Sequence, residues 1–187
     1  MNCNFEKFSS RLMKNLAFSK VNLNKISFDD EVKKIVRCCD PVSGLRSRAR
    51  LSEMNPKLLD VMLIQSPIIC YPFRNTYKLI GGFFTYTQLI VHPYIEPDID
   101  IHIFQLDQKP SSDCCRLFFL QDLTRSLLTE GFVSESRKLK HFLESWFKQD
   151  TDKRSIYQSS EWQTIFPDIK TMNDVSEWLH ISKKMLS

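Results

Sequence analysis

The densest chemistry in the chain is positive. Arg46, Arg48 and Arg50 alternate within Leu-Arg-Ser-Arg-Ala-Arg-Leu. In an extended segment that alternation sets all three guanidinium groups on one side, where their planar forks of donors suit phosphate oxygens. A solvated loop without a ligand is the plainer alternative, because three charges carry no groove or base information. Lys183 and Lys184 form a smaller cationic pair. Gly81 and Gly82, with Thr85 and Thr87, offer a second phosphate chemistry. Glycine amides and nearby hydroxyls at a helix N-terminus can cradle an anion. A glycine turn over a hydrophobic core uses the same residues with no ligand.

The other reactive residue types are arranged less suggestively. Of six cysteines, four form the adjacent pairs Cys38-Cys39 and Cys114-Cys115, while Cys3 and Cys70 stand alone. C-x-x-C spacing is absent and the four His are scattered, so no metal site is expected. Residues 1–18 interleave Glu6, Lys7, Arg11 and Lys14 among apolar residues, unlike a secretion signal. No apolar run approaches the ~20 residues that span a bilayer. Free thiols in a reducing cytoplasm, with no membrane partner, are therefore expected. Cys70 reads as core, since Arg74 is its only local cation and a reactive thiol needs one. G-x-S-x-G, Walker A and H-E-x-x-H motifs are also absent, so no catalytic residue and no cofactor are assigned.

Composition bounds the class. The 187 residues are 42% hydrophobic and 26% charged, with a formal charge of +4. Fourteen Phe against four Gly exclude a disordered or collagen-like chain. A chain this long can bury a core without disulfides or metal. The mild charge fits an ordinary solvated surface, since dedicated nucleic-acid-binding domains are more basic and gather that charge on one face.

Hydrophobic spacing then places the elements. A helix is expected over residues 4–17, with Phe5, Phe8, Leu12 and Leu16 on one stripe. Residues 21–26 read as extended. Ser27 is the expected N-cap of a second helix, with Asp29, Asp30 and Glu31 in its first turn and Cys39 in the core. Residues 58–64 read as a short helix, and residues 67–71 and 77–80 as two strands. Residues 83–91, Phe-Phe-Thr-Tyr-Thr-Gln-Leu-Ile-Val, read either as the second arm of a Gly-Gly hairpin or as a helix, and propensity slightly favours the hairpin. Residues 99–104 alternate as a strand, placing His102 opposite Ile99, Ile101 and Ile103 as a surface or partly covered histidine. Helices follow over 114–129, on a Leu117, Leu120, Leu123, Leu127, Leu128 stripe, and from Ser134, on Leu139, Phe142, Leu143, Trp146 and Phe147. Residues 148–155 read as a polar linker before an aromatic section around Trp162, Phe166 and Trp178. Thr171 can cap a terminal helix there; the five residues after Ser182 are too few for a base-reading helix, so a packing role is expected.

The order Val21-Asn-Leu-Asn-Lys-Ile26, a helix, Ser66-Pro-Ile-Ile69, Tyr77-Lys-Leu-Ile-Gly-Gly82 and a strand at 99–104 resembles the ParB/sulfiredoxin-like fold. In that family a P-I-x-V strand precedes a Y-x-L-I-x-G strand, which passes through a tight glycine turn into a helix. The resemblance covers residues 21–130, with residues 67–82 its characteristic stretch, and it implies a helix after Gly82, which is the reading followed for residues 83–91 over the hairpin. Nucleotide-binding members carry a G-E-R-R-x-R-like run at this turn, and sulfiredoxin a G-C-H-R-like turn with the catalytic cysteine. This chain has Gly82-Phe83-Phe84-Thr85 instead.

These readings converge on an α+β chain. An N-terminal helix is expected over 1–20, a ParB/sulfiredoxin-like domain with a small mixed sheet over 21–130, and a helical region over 131–187. The expected function is that of a non-catalytic ParB-like DNA-associated protein, as of a plasmid, phage or other mobile element. Arg46, Arg48 and Arg50 would meet phosphates with help from Lys183 and Lys184. The alternatives are a nucleotide-dependent ParB-like nucleotidase or nuclease, using nucleotide with Mg at Gly81, Gly82, Thr85 and Thr87, and an adaptor that binds a protein partner or a second copy of itself.

Overall fold

A computed structural model describes residues 16–39, 59–91, 95–129 and 136–185. Arg46, Arg48 and Arg50, and residues 4–15 of the expected first helix, lie outside them. The chain is α+β, with a five-stranded mixed sheet and seven α-helices among the described residues. It divides into two compact units: residues 2–33 with 47–122, and residues 34–46 with 123–187.

The first unit holds the sheet. Its strands are β1 (Leu16–Asn22), β2 (Ile26–Phe28), β3 (Ile69–Phe73), β4 (Thr76–Gly81) and β5 (Asp100–Leu106). They lie in the order β1-β5-β3-β4-β2. β1 with β5 and β3 with β4 are antiparallel, while β3 with β5 and β2 with β4 are parallel. Alternation along β5 sends Ile101 and Ile103 into a core with Val21, Cys70, Leu79, Tyr86 and Leu89. His102 takes the other face, half-buried and stacked on Phe18 at 4.8 Å. A second core, of Tyr71, Ile80, Leu106 and Cys115, forms apart from the first.

Two helices lie between β2 and β3, α1 (Asp30–Cys38) and α2 (Leu59–Gln65); α3 (Phe83–Val91) lies between β4 and β5, and α4 (Ser112–Thr129) follows β5. Two expectations at the first strands are corrected. Leu16 and Ala17 belong to β1 and pair with Leu106 and Gln105, because the ladder with β5 satisfies backbone groups that a frayed helix end would leave open. Ser27 is not the N-cap of α1. It lies in β2 opposite Lys78, and the helix begins only after Phe28 has paired with Leu79. Asp29 takes the capping role, its Oδ1 accepting the Glu31 amide at 2.8 Å.

Propensity's hairpin over residues 83–91 is also overturned: they form the helix α3. β4 already has β3 on one edge and β2 on the other, so no edge remains for another strand. Burial of Phe83, Phe84, Tyr86 and Leu89 then decides in favour of the helix over strand propensity. Gly82 makes the reversal at φ +76, and a Cβ there would lie 2.4 Å from the Pro67 carbonyl oxygen and 2.8 Å from the Ile68 Cα.

The second unit is helical, with α5 (Ser136–Trp146), α6 (Ser160–Ile165) and α7 (Met172–Trp178). Leu139, Phe142, Leu143, Trp146 and Phe147 are all buried, as their spacing predicts. Trp162 is fully buried against Phe147, Tyr157 and Phe166, at ring separations of 5.1, 5.1 and 4.8 Å. Its indole N–H donates to the Ile169 carbonyl at 2.7 Å. Thr171 caps α7 in a reciprocal capping box with Asp174.

Cys38, Cys39, Cys70 and Cys115 are in no disulfide. Cys114 is disulfide-bonded, which corrects the expectation that every thiol is free. Cys39 is half-buried just beyond α1 rather than in the core. Among the described residues no helix is long and apolar enough to cross a membrane.

Gly82→Ala is expected to lose about 3 kcal/mol or more, combining a left-handed backbone penalty of ~1–2 kcal/mol with a clash against fixed backbone atoms. Urea unfolding followed by circular dichroism checks this, and a loss under ~1 kcal/mol would refute the steric account.

Candidate functional site

The sequence points to the turn between β4 and α3 as the place for phosphate chemistry. A helix starting there directs its first amides and the positive end of its dipole outward. In this chain those amides already have an acceptor. Asp122, on α4, places Oδ2 2.9 Å from the Gly82 amide nitrogen and 3.1 Å from that of Phe83. A carboxylate from the chain itself therefore occupies the position an incoming phosphate would take.

The remaining expected phosphate ligands are also engaged or enclosed. The Thr87 hydroxyl donates back to the Phe83 carbonyl at 2.7 Å. Thr85 is buried. Gly81 is tight against Phe118, whose Cε1 would lie 2.6 Å from a Cβ at that position. Phe83, the first residue after the glycine turn, packs on Phe28, Phe84 and Phe119 at ring separations of 5.5, 5.4 and 5.6 Å. A charge at that position would have to be desolvated among aromatic rings. The structure thus brings Gly81, Gly82, Thr85 and Thr87 into one turn and closes it with Asp122. Lys183 and Lys184 are exposed on a short 3-10 turn of the other unit.

Sequence reasoning missed Asp122. It sits 40 positions from the amide it caps and among the apolar residues of a long helix, so no local spacing reveals it. A second polar group escaped for the same reason. Asp29 is buried, and its Oδ2 accepts the Tyr71 hydroxyl at 2.5 Å across 42 positions. Burial first, and then the hydrogen bond to Asp29 and its charge, raise the Tyr71 phenol well above its ordinary value. Nearby, Cys115 is pushed up to about 12, by burial first and the Asp29 charge second. Burial alone raises the Cys70 thiol strongly, so it has almost no thiolate at neutral pH. Asp29, Tyr71 and Cys115 read as a buried structural group, with Asp29 also capping α1. Among the described residues no group of three or more His, Cys, Asp or Glu could hold a metal ion.

No family model matches the chain, and neither do the curated proteins or the solved structures compared with it.

Removing the Asp122 carboxylate should uncap α3. Asp122→Ala is expected to lose about 2 kcal/mol, and Asp122→Asn, which keeps an acceptor oxygen, about half that. Chemical denaturation of the two variants tests the order, and equal losses would show that the carboxylate charge contributes nothing.

The raised groups also set an alkaline limit. In the unfolded chain thiols titrate near 9.0 and phenols near 10.0, and in the folded chain Cys70, Cys115, Tyr71 and Tyr86 all titrate higher. Their contribution is complete below the unfolded values and is lost as pH rises through the folded ones. Stability should therefore begin to fall above about pH 9. Tyr71→Phe should make that fall shallower above about pH 10, while costing ~1–2 kcal/mol at neutral pH because Asp29 loses a donor. Unfolding curves from pH 7 to about 11 measure both, and an unchanged alkaline slope would exclude Tyr71 as a contributor.

Proposed function

We propose that this chain is a catalytically inactive, ParB-like DNA-associated protein. The Asp122 carboxylate on the Gly82 and Phe83 amides carries the non-catalytic part of this reading. A nucleotide phosphate at that turn would have to displace an anion already held by two amides, and it would find buried phenylalanine where the resemblance expects charge. The passage from β4 through a left-handed Gly82 into α3 supports the ParB-like part. DNA association rests on the chemistry of Arg46, Arg48 and Arg50, whose alternation suits phosphate.

A protein-binding adaptor is the second reading. Val61 and Ile64 on α2, and Ile90 and Val91 on α3, are exposed large apolar side chains of the sheet-bearing unit. Light scattering would reveal a homodimer as a doubled mass.

Binding of a labelled DNA duplex, followed by fluorescence anisotropy, tests the leading reading. Three phosphate contacts give a loss of affinity of about 40-fold between 50 and 200 mM salt. Replacing Arg46, Arg48 and Arg50 with Ala should weaken binding and make the slope of log K against log salt shallower by about 2 to 3. Salt-independent binding, or full binding by the triple variant, would overturn the reading. Nucleotide with magnesium should leave the melting temperature unchanged, and a rise of several degrees would favour the nucleotidase alternative, because a ligand of the native state stabilises it.

A further inference from the structure

The end of the β3–β4 hairpin brings cations over aromatic rings, one ring exposed and one in the second core. Phe73 pairs with Thr76 across a two-residue turn, Arg74-Asn75, and the Thr76 hydroxyl donates to the Phe73 carbonyl at 2.9 Å. Phe73 is 41% exposed. Over its ring lie two cations, the Arg74 guanidinium carbon 5.4 Å and the Lys78 ammonium 5.5 Å from the centroid. Tyr71, two positions earlier and so on the same face of β3, has the Lys109 ammonium 5.9 Å from its ring centroid. Two cations of the hairpin and one from the segment after β5 thus lie over two rings of one strand.

We propose that this hairpin end contacts the phosphate backbone of DNA, an inference that rests on the DNA-associated reading and gives it a second surface. The backbone at Arg74 supplies an independent argument. Its φ is 55°, in the left-handed region where Gly and Asn cost least. A turn serving only to reverse the chain is best filled by one of those residues. Here a long cationic side chain occupies the costly conformation and lies over an exposed ring. Packing on an aromatic face limits the freedom of the guanidinium and ammonium groups, so less entropy is lost when they meet an anion. Lys78 is further held by donating to the Ser27 hydroxyl at 2.9 Å.

Two neighbouring acids are engaged elsewhere. Asp29 is buried and accepts from the Glu31 amide and the Tyr71 hydroxyl. Asp30 lies 3.7 Å from the Lys33 ammonium. What remains at the surface is a hairpin end with cations around the exposed Phe73 ring. Such an end suits backbone phosphate rather than base edges, so its contribution should not depend on DNA sequence.

The test is anisotropy with the same labelled duplex, comparing the wild type with Arg74→Asn/Lys78→Gln/Lys109→Gln. Asn tolerates the left-handed φ at position 74, so the hairpin should be retained, and a melting curve checks it. Affinity is expected to fall about tenfold or more at moderate salt, with the slope of log K against log salt shallower by about 2 to 3, for two different duplex sequences alike. On the wild type, bound duplex should also protect Lys78 and Lys109 from amine acylation read by mass spectrometry, which needs no variant to fold. A folded variant with wild-type affinity and slope, or equal labelling of both lysines with and without duplex, overturns the hairpin surface. If the wild type binds and only the Arg46/Arg48/Arg50 variant is impaired, this inference falls alone. If the wild type does not bind DNA, the parent reading falls and takes this one with it.

Discussion

The sheet-bearing unit depends on one backbone position. β4 must stop and reverse into α3 within a single residue, in a space bounded by the Pro67 carbonyl and the Ile68 Cα. Only a residue with neither a Cβ nor a penalty at φ +76 meets both demands, and Gly82 does. The direction of α3 follows from that reversal, and with it the burial of Phe83, Tyr86 and Leu89. Tyr86 then ties the helix back to the sheet, its hydroxyl donating to the Ile26 carbonyl at 2.9 Å. Several tertiary contacts therefore rest on the conformation of one glycine.

The same turn shows how a site-like geometry can be turned inward. Two exposed amides at a helix start need an acceptor, and water, a ligand or a side chain can each provide one. Here Asp122 provides it, which joins α4 to the beginning of α3. The aromatic group of Phe28, Phe83, Phe84 and Phe119 extends the same trade, with packing where charge would otherwise be placed. Polar groups so arranged add stability and positional definition while leaving little for a soluble anion to bind.

Much of the fold was legible where its cause is local. The alternation of residues 99–104 marks β5, and the five apolar positions from Leu139 to Phe147 mark the buried stripe of α5, because period follows directly from geometry. Thr171 and Asp174 announce the start of α7 within four residues. The failures have non-local causes. Propensity made residues 83–91 a strand because it cannot know that β2 already occupies the other edge of β4. Ser27 looked like a cap because the parallel pairing of β2 involves residues about fifty positions away. Of the site, the glycines and threonines were visible because they are close in sequence. The acid that occupies the turn was not visible, since Asp122 becomes a neighbour of Gly82 only after α4 has packed.

The distribution of indole rings has a practical side. All three tryptophans of the chain, Trp146, Trp162 and Trp178, lie in the helical unit, whereas Tyr71, Tyr77 and Tyr86 lie in the sheet-bearing unit. Trp146 and Trp162 are sealed from solvent and Trp178 is partly open. Excitation selective for indole therefore reports directly on one unit only, through two shielded emitters and one accessible to quenchers. The sheet needs a second signal, such as far-ultraviolet dichroism, and a mismatch between the two melting profiles would reveal whether the units come apart together or one at a time.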